Sequence, residues 1–163
     1  MSIQQAKAAI LYPPKGLHTI IFGETGTGKS MFAECMYHFA VSSKTLKENA
    51  PFISFNCADY AQNPQLLFGH IFGVRQGAYT GALEDTPGLI AKADGGILFL
   101  DEIHRLPPEG QEMLFTFIDK GTFRPLGESD KVSEANVQII EFVGEKTHYF
   151  NGGMIARRRT VRM

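Results

Sequence analysis

Cysteine is scarce in this chain of 163 residues, and the two present, Cys35 and Cys57, show no C-x-x-C spacing. With no signal-peptide apolar segment at the N-terminus either, both read as reduced core thiols of a cytosolic protein. Long apolar runs are lacking too. The best, Ile97 to Leu100, falls far short of the roughly 20 residues a membrane span needs, so no transmembrane segment and no membrane partner are expected. Charge of one sign is lacking as well: 16 Lys and Arg against 17 Asp and Glu leave a formal net charge of −1. That balance argues against the broad basic surface of a protein that wraps nucleic acid on its own, while leaving a local patch open. What remains, 44% hydrophobic and 20% charged residues, describes one soluble globular domain with a real core.

The most informative stretch is Gly23-Glu24-Thr25-Gly26-Thr27-Gly28-Lys29-Ser30, which fits the phosphate-loop pattern G-x-x-x-x-G-K-[ST]. It follows an apolar run, His18 to Phe22, and precedes a helical one, the context in which the pattern has mechanical meaning. Glycines let several backbone N–H groups converge on one anion, and the following helix adds the positive end of its dipole. In this reading Lys29 reaches the β- and γ-phosphates of ATP and Ser30 coordinates Mg²⁺.

The order of elements predicts an α/β fold. Strands are expected over 18–22, 51–57, 97–100 and 136–140, and helices over 31–40, 64–72 and 109–120. The helix 31–40 carries Phe32, Met36, Phe39 and Ala40 at helical spacing, and 109–120 carries Met113, Leu114, Phe117 and Ile118 before Gly121. Continuous apolar sequence at Ile97 to Leu100 is that of a central parallel strand buried on both faces. Strands alternating with helices imply a doubly wound sheet with ligand at the strands' C-terminal edge.

Asp101 and Glu102 end the third strand, so both carboxylates emerge at the edge that bears the phosphate loop. Asp101, the first acid after the strand, is placed to hold the Mg²⁺ shell. Glu102 is then free to accept a proton from attacking water, which favours an ATPase over a P-loop kinase. Asn56 ends the second strand at a comparable height. It is either a turn former or an amide that hydrogen-bonds Glu102. His104 has no second ligand at metal spacing and reads as a surface or capping histidine.

Gly77-Ala78-Tyr79-Thr80-Gly81-Ala82 is a small-residue loop with one aromatic at its tip, which is unfavourable to solvate unless something binds it. The loop resembles the G-A-F-T-G-A loop of the AAA+ activators of sigma-54 RNA polymerase, with Tyr79 for the usual Phe. P-F-I-S-F-N-C-A, L-F-G, A-D-G-G-I-L-F-L-D-E-I and L-P-P-E-G-Q-E-M-L follow in the family's order, over roughly 16–140. The segments D-E-I-H-R-L-P-P-E-G-Q and G-T-F-R-P-L-G-E resemble the LevR-type branch, activators of sugar-utilisation operons regulated through the phosphotransferase system. The resemblance implies a P-loop NTPase (AAA+) three-layer sandwich and a homo-oligomeric ring, usually a hexamer. It also implies that ATP hydrolysis with Mg²⁺ drives the loop to remodel a closed promoter complex. Lys29 and Ser30 become the Walker A ligands, Asp101 and Glu102 the Walker B acids, and Asn56 the glutamate-switch residue. Residues 77–82 become the contact with the sigma-54 RNA polymerase holoenzyme, and 128–135 a second surface loop. DNA would be bound through other domains.

The pattern also breaks. After Ile140 the chain reads Glu141-Phe142-Val143-Gly144-Glu145, where the family has a short polar sensor. Arg157, Arg158 and Arg159 are the nearest candidates for arginines that reach a neighbouring subunit's nucleotide, though a basic cluster there also reads as a solvated tail. No helical lid follows before Met163. The expected division is therefore a lead-in over 1–16, an ATPase core over 17–140 and an atypical, non-native or out-of-frame tail over 141–163. Two alternatives stand beside the motor: a nucleotide-binding, partner-docking module without turnover, and another AAA+ remodeller of the clamp-loader kind.

Overall fold

The computed structural model describes residues 2–23, 28–144 and 159–162. In chain order the helices and strands are α1 (Ser2–Leu11), β1 (Thr19–Phe22), α2 (Lys29–Ser42), β2 (Phe52–Asn56), α3 (Pro64–Phe72), α4 (Leu89–Lys92), β3 (Ile97–Asp101), α5 (Pro108–Lys120), β4 (Thr122–Phe123), β5 (Ser133–Glu134), β6 (Gln138–Val143) and β7 (Arg159–Arg162). Two 3₁₀ turns, Cys57–Tyr60 and Ile103–Arg105, follow β2 and β3 directly.

Five strands form one sheet in the order β2-β3-β6-β1-β7, and every pairing in it is parallel. Successive side chains alternate between the two faces of the sheet, and in the central strands both faces are buried. Ile21, Ile97, Phe99, Ile140 and Phe142 face α1 and α2, meeting Ala6, Ile10, Ala33, Met36 and Ala40. Ile20, Leu98, Leu100, Ile139 and Val143 face the other way, against Leu67, Ile71 and Phe72 of α3, Ile90 of α4, and Leu114 and Phe117 of α5. The result is the three-layer α/β sandwich expected.

Helix limits follow local chemistry. The Asn63 side chain accepts from Leu66 N at 3.2 Å and Pro64 opens α3. Gly121, left-handed at φ 72°, ends α5 and donates its N–H to Phe117 O at 2.7 Å. Gly96 precedes β3 because nothing larger fits: a Cβ there would collide with the carbonyl of Pro51.

Four features differ from the sequence reading. The lead-in contains α1, whose buried Ala6, Ala9 and Ile10 are mostly too small to stand out as an apolar face. Cys35 is exposed rather than a core thiol, because α2 buries the stripe Ala33, Met36 and Ala40 instead. A two-residue antiparallel pair, β4 with β5, lies inside what read as irregular chain. The strand expected to stop at Ile140 runs on to Val143, with Glu141, Phe142 and Val143 fully buried opposite Ile20, Ile21 and Phe22 of β1. Among the described residues, no helix is long and apolar enough to cross a membrane.

Candidate functional site

The C-terminal edge of the sheet gathers most of the expected chemistry. Gly23 leaves β1 and donates its N–H to Val143 O at 3.2 Å, which ties the start of the phosphate loop to the end of β6. Glu24, Thr25, Gly26 and Thr27 lie outside the described residues. Gly28 returns the chain in the left-handed region, φ 77° and ψ 30°, as the N-cap of α2. A side chain at that φ would be strained, although among the described residues nothing lies within 4 Å of where its Cβ would stand. The first turn of α2 holds no acidic residue and no side-chain cap, so its backbone donors are not spent on the helix's own side chains. Lys29 places its Nζ 5.2 Å from the centroid of the Phe142 ring, a cation–π contact on a ring that itself packs edge-on against Phe99. Ser30 is exposed on the first turn.

The acids stand two strands away. Asn56 and Asp101 are direct register partners at the ends of β2 and β3. Asp101 Oδ1 accepts from Glu102 N at 2.8 Å, leaving its second oxygen for other work. Glu102 adopts φ 50° and ψ 45°, a left-handed backbone that costs a non-glycine residue about 1–2 kcal/mol. Such strain persists where the surroundings impose it, often at functional sites. Its carboxylate lies 3.8 Å from Arg105 Nε, both side chains partly exposed. Asn56 uses Oδ1 to accept from Ala58 N at 2.9 Å, capping the 3₁₀ turn. Among the described residues its amide makes no hydrogen bond to Glu102.

One thiol registers how acidic this corner is. Burial pushes Cys57 up to about 12, and the charges of Glu141, Asp101, Glu102 and Asp59 add to the rise. Glu141 is fully buried on β6, next to Leu100 in register. The sequence reading took Glu141 as the start of an atypical tail, whereas it lies inside the strand.

The 77–82 loop lies at the end of α3. Its neck closes through Gly77 N to Ala82 O at 2.9 Å, with Gly77 at φ 81° and Gly81 at φ 97° supplying the turns. Tyr79 is half-buried, not the solvated tip expected, and the most exposed large apolar side chain among the described residues is Leu83, at 82%. Beneath the loop, Arg75 pairs with Asp85 at 3.3 Å and with Glu128 at 3.7 Å. Gln76 N donates to Asp85 Oδ1 at 2.8 Å, and Arg75 N to Leu126 O at 2.8 Å. Gly127 lies so close to Ala78 that a Cβ would come within 2.7 Å of the Ala78 methyl. The loop and the segment 126–128 are thus packed as one base, which the sequence did not reveal.

Arg157 and Arg158 lie outside the described residues, and Arg159 opens β7 at the edge beside β1. Among the described residues no group of three or more His, Cys, Asp and Glu is placed to hold a metal by itself, and His104 is half-buried rather than a surface histidine.

Comparison with known proteins agrees with this geometry. A family model described as the Sigma-54 interaction domain matches residues 2–149. The chain is 60% identical over 139 residues to the transcriptional regulatory protein LevR of Bacillus subtilis, and 50% identical over 139 residues to the transcriptional regulatory protein DagR of Salmonella typhimurium. Each alignment covers 85% of this chain and 15% of the relative, so the chain spans a small part of the curated relatives it matches. Among solved structures, NtrX of Brucella abortus superposes with a TM-score of 0.76 at 23% identity, covering 99% of this chain and 36% of that one. The same protein in complex with ATP gives 0.75 at 22% identity, covering 99% and 35%. At that identity the likeness speaks for the fold alone, the three-layer α/β sandwich described above.

Proposed function

The chain belongs to the sigma-54 interaction domain family, and from that premise we propose that it is the ATP-hydrolysing core of a bacterial sigma-54 activator. Its 77–82 loop would remodel the closed promoter complex. The observation that carries the reading is the convergence at one sheet edge of an uncapped α2 N-terminus, Lys29, and the adjacent pair Asp101 and Glu102. These residues fit Mg-ATP: open space around Gly28, backbone donors on α2 free of side-chain caps, one cation, and an Asp101 oxygen still available.

Bound Mg-ATP supplies the phosphoryl group and its leaving group. The chain's part is to bind, orient and move a proton. Lys29 and the amides at the start of α2 neutralise phosphate charge. Ser30 and Asp101 would hold the metal, and Glu102 would accept the proton of the attacking water. Asn56, whose amide does not bond Glu102 in the conformation described, would restrain it in another state of the motor until a partner is engaged. Assembly into a homo-oligomeric ring, cytoplasmic location and DNA contact through further domains complete the proposal, with sigma-54 RNA polymerase holoenzyme as the partner of Gly77, Ala78, Tyr79, Thr80, Gly81 and Ala82.

The test is ATP turnover per subunit against protein concentration, with Glu102→Ala as control. Activity that climbs with concentration and vanishes in the variant supports the motor and the completion of sites between subunits. Nucleotide binding with no turnover at any concentration replaces the motor with a docking module.

A further inference from the structure

The surface offered to the partner extends beyond the hexapeptide, and its most exposed apolar group follows it. Leu83 is 82% exposed. A lone exposed leucine is ordinary on a protein surface, but this one is held there from both sides. On its N-terminal side Ala82 O accepts from Gly77 N at 2.9 Å and Ala82 N donates to Tyr79 O at 3.0 Å. On its C-terminal side the Asp85 carboxylate takes Gln76 N at 2.8 Å and the Arg75 guanidinium at 3.3 Å, and Thr86 exchanges backbone bonds of 2.8 Å with Val74. Those bonds hold the backbone on both sides of Leu83, and in this conformation its side chain stands in solvent. The base beneath is fixed in turn by Arg75 to Glu128 and by Ala78 against Gly127.

We propose that Leu83 is a partner-contacting residue which, with the 77–82 loop, forms one docking surface for an apolar patch on sigma-54. The inference rests on the docking reading above. Tyr79, half-buried, supplies only part of an apolar contact. Leu83 supplies the rest, and the exposed Glu84 beside it calls for a basic group at the rim of the partner's patch.

The experiment measures binding of purified sigma-54 to this chain in the presence of ADP and aluminium fluoride, comparing wild type, Tyr79→Ala, Leu83→Ser and Leu83→Met. Nucleotide binding and far-UV circular dichroism of each variant are recorded alongside. Losing burial of one leucine should weaken sigma-54 binding about tenfold or more in Leu83→Ser. Leu83→Met should retain it within about threefold, with nucleotide binding and fold unchanged in both. Leu83→Ser binding as well as wild type, while Tyr79→Ala binds poorly, would overturn the role of Leu83 and leave the docking reading standing. No binding by wild type would overturn the docking reading and Leu83's role with it.

Discussion

Glu102 combines the proposed catalytic carboxylate with a strained backbone, so stability and activity should separate at this position. At φ 50° and ψ 45° a side chain costs about 1–2 kcal/mol that glycine does not incur. Glycine also loosens the unfolded chain, which takes back about 0.4–1 kcal/mol. The ion pair to Arg105, 3.8 Å long with side chains 35% and 55% exposed, is worth roughly 0.3 kcal/mol after solvent screening, and alanine and glycine lose it equally. Taking the middle of each range, Glu102→Gly should therefore be more stable than Glu102→Ala by about 0.8 kcal/mol, a difference of roughly 2 °C in Tm for a domain of this size. Neither variant should hydrolyse ATP. Urea unfolding followed by far-UV circular dichroism measures the difference, provided the slope against denaturant is the same for both. Equal stabilities, or alanine above glycine, would refute the argument that the fold imposes a left-handed backbone on residue 102.

Gly96→Ala should destabilise the chain by about 3 kcal/mol or more, because the new methyl meets the Pro51 carbonyl that already accepts from Ile97 N at 3.0 Å. A midpoint shift under about 1 kcal/mol in the same urea assay would contradict that close approach. Cys57, raised from 9.0 to about 12, keeps its proton in the fold while the unfolded chain releases it. Stability should thus be unaffected by this group below pH 9 and fall by about 1 kcal/mol per pH unit between pH 9 and 12. Cys57→Ala should flatten that part of a Tm-against-pH series, and an unchanged slope would refute the assignment. A thiol reagent should label Cys35 alone in the native chain and both cysteines after denaturation. Arg75→Gln should change global stability by less than about 1 kcal/mol, as exposed pairs do, yet speed amide exchange over 74–86 while leaving β3 protected. Unchanged exchange there would mean that Arg75 does not hold the loop to Glu128.

Where the sequence was legible, the signal was local. The strand at 97–100 is continuous apolar sequence because its neighbours β2 and β6 leave neither face to solvent. The helix expected over 64–72 is observed with those bounds, and its Leu67 and Ile71, one helical turn apart, are both fully buried. The parts that stayed hidden depend on partners distant in sequence. Whether 141–143 belongs to the sheet is decided by pairing with β1, more than a hundred residues earlier, so the strand's end could not be read from Glu141 alone. Likewise Arg75 meets Glu128 across some fifty residues, a contact that no periodicity encodes. Tyr79 read as a solvated tip because its own hexapeptide is small and polar around it, whereas the packing of Ala78 on Gly127 lowers the loop toward the body of the domain.

The two readings of Asn56, turn former and partner of Glu102, need not compete once its atoms are taken separately. Strand ends leave backbone donors that must be satisfied, and at this edge side chains do it on neighbouring strands. Ala58 N donates to Asn56 Oδ1 at 2.9 Å, and Glu102 N donates to Asp101 Oδ1 at 2.8 Å, with Asn56 and Asp101 facing each other in register. Each bond fixes a side chain beside the acidic corner and uses one acceptor. Asp101 keeps an oxygen with which to hold a cation, and Asn56 keeps its amide nitrogen, a donor, with which to meet a carboxylate. Asp at position 56 would preserve the turn but add a third negative charge next to Asp101 and Glu102, and Ala would leave Ala58 N uncapped. Of these choices only asparagine caps the turn and keeps a neutral donor at this edge, which the proposed pairing with Glu102 requires.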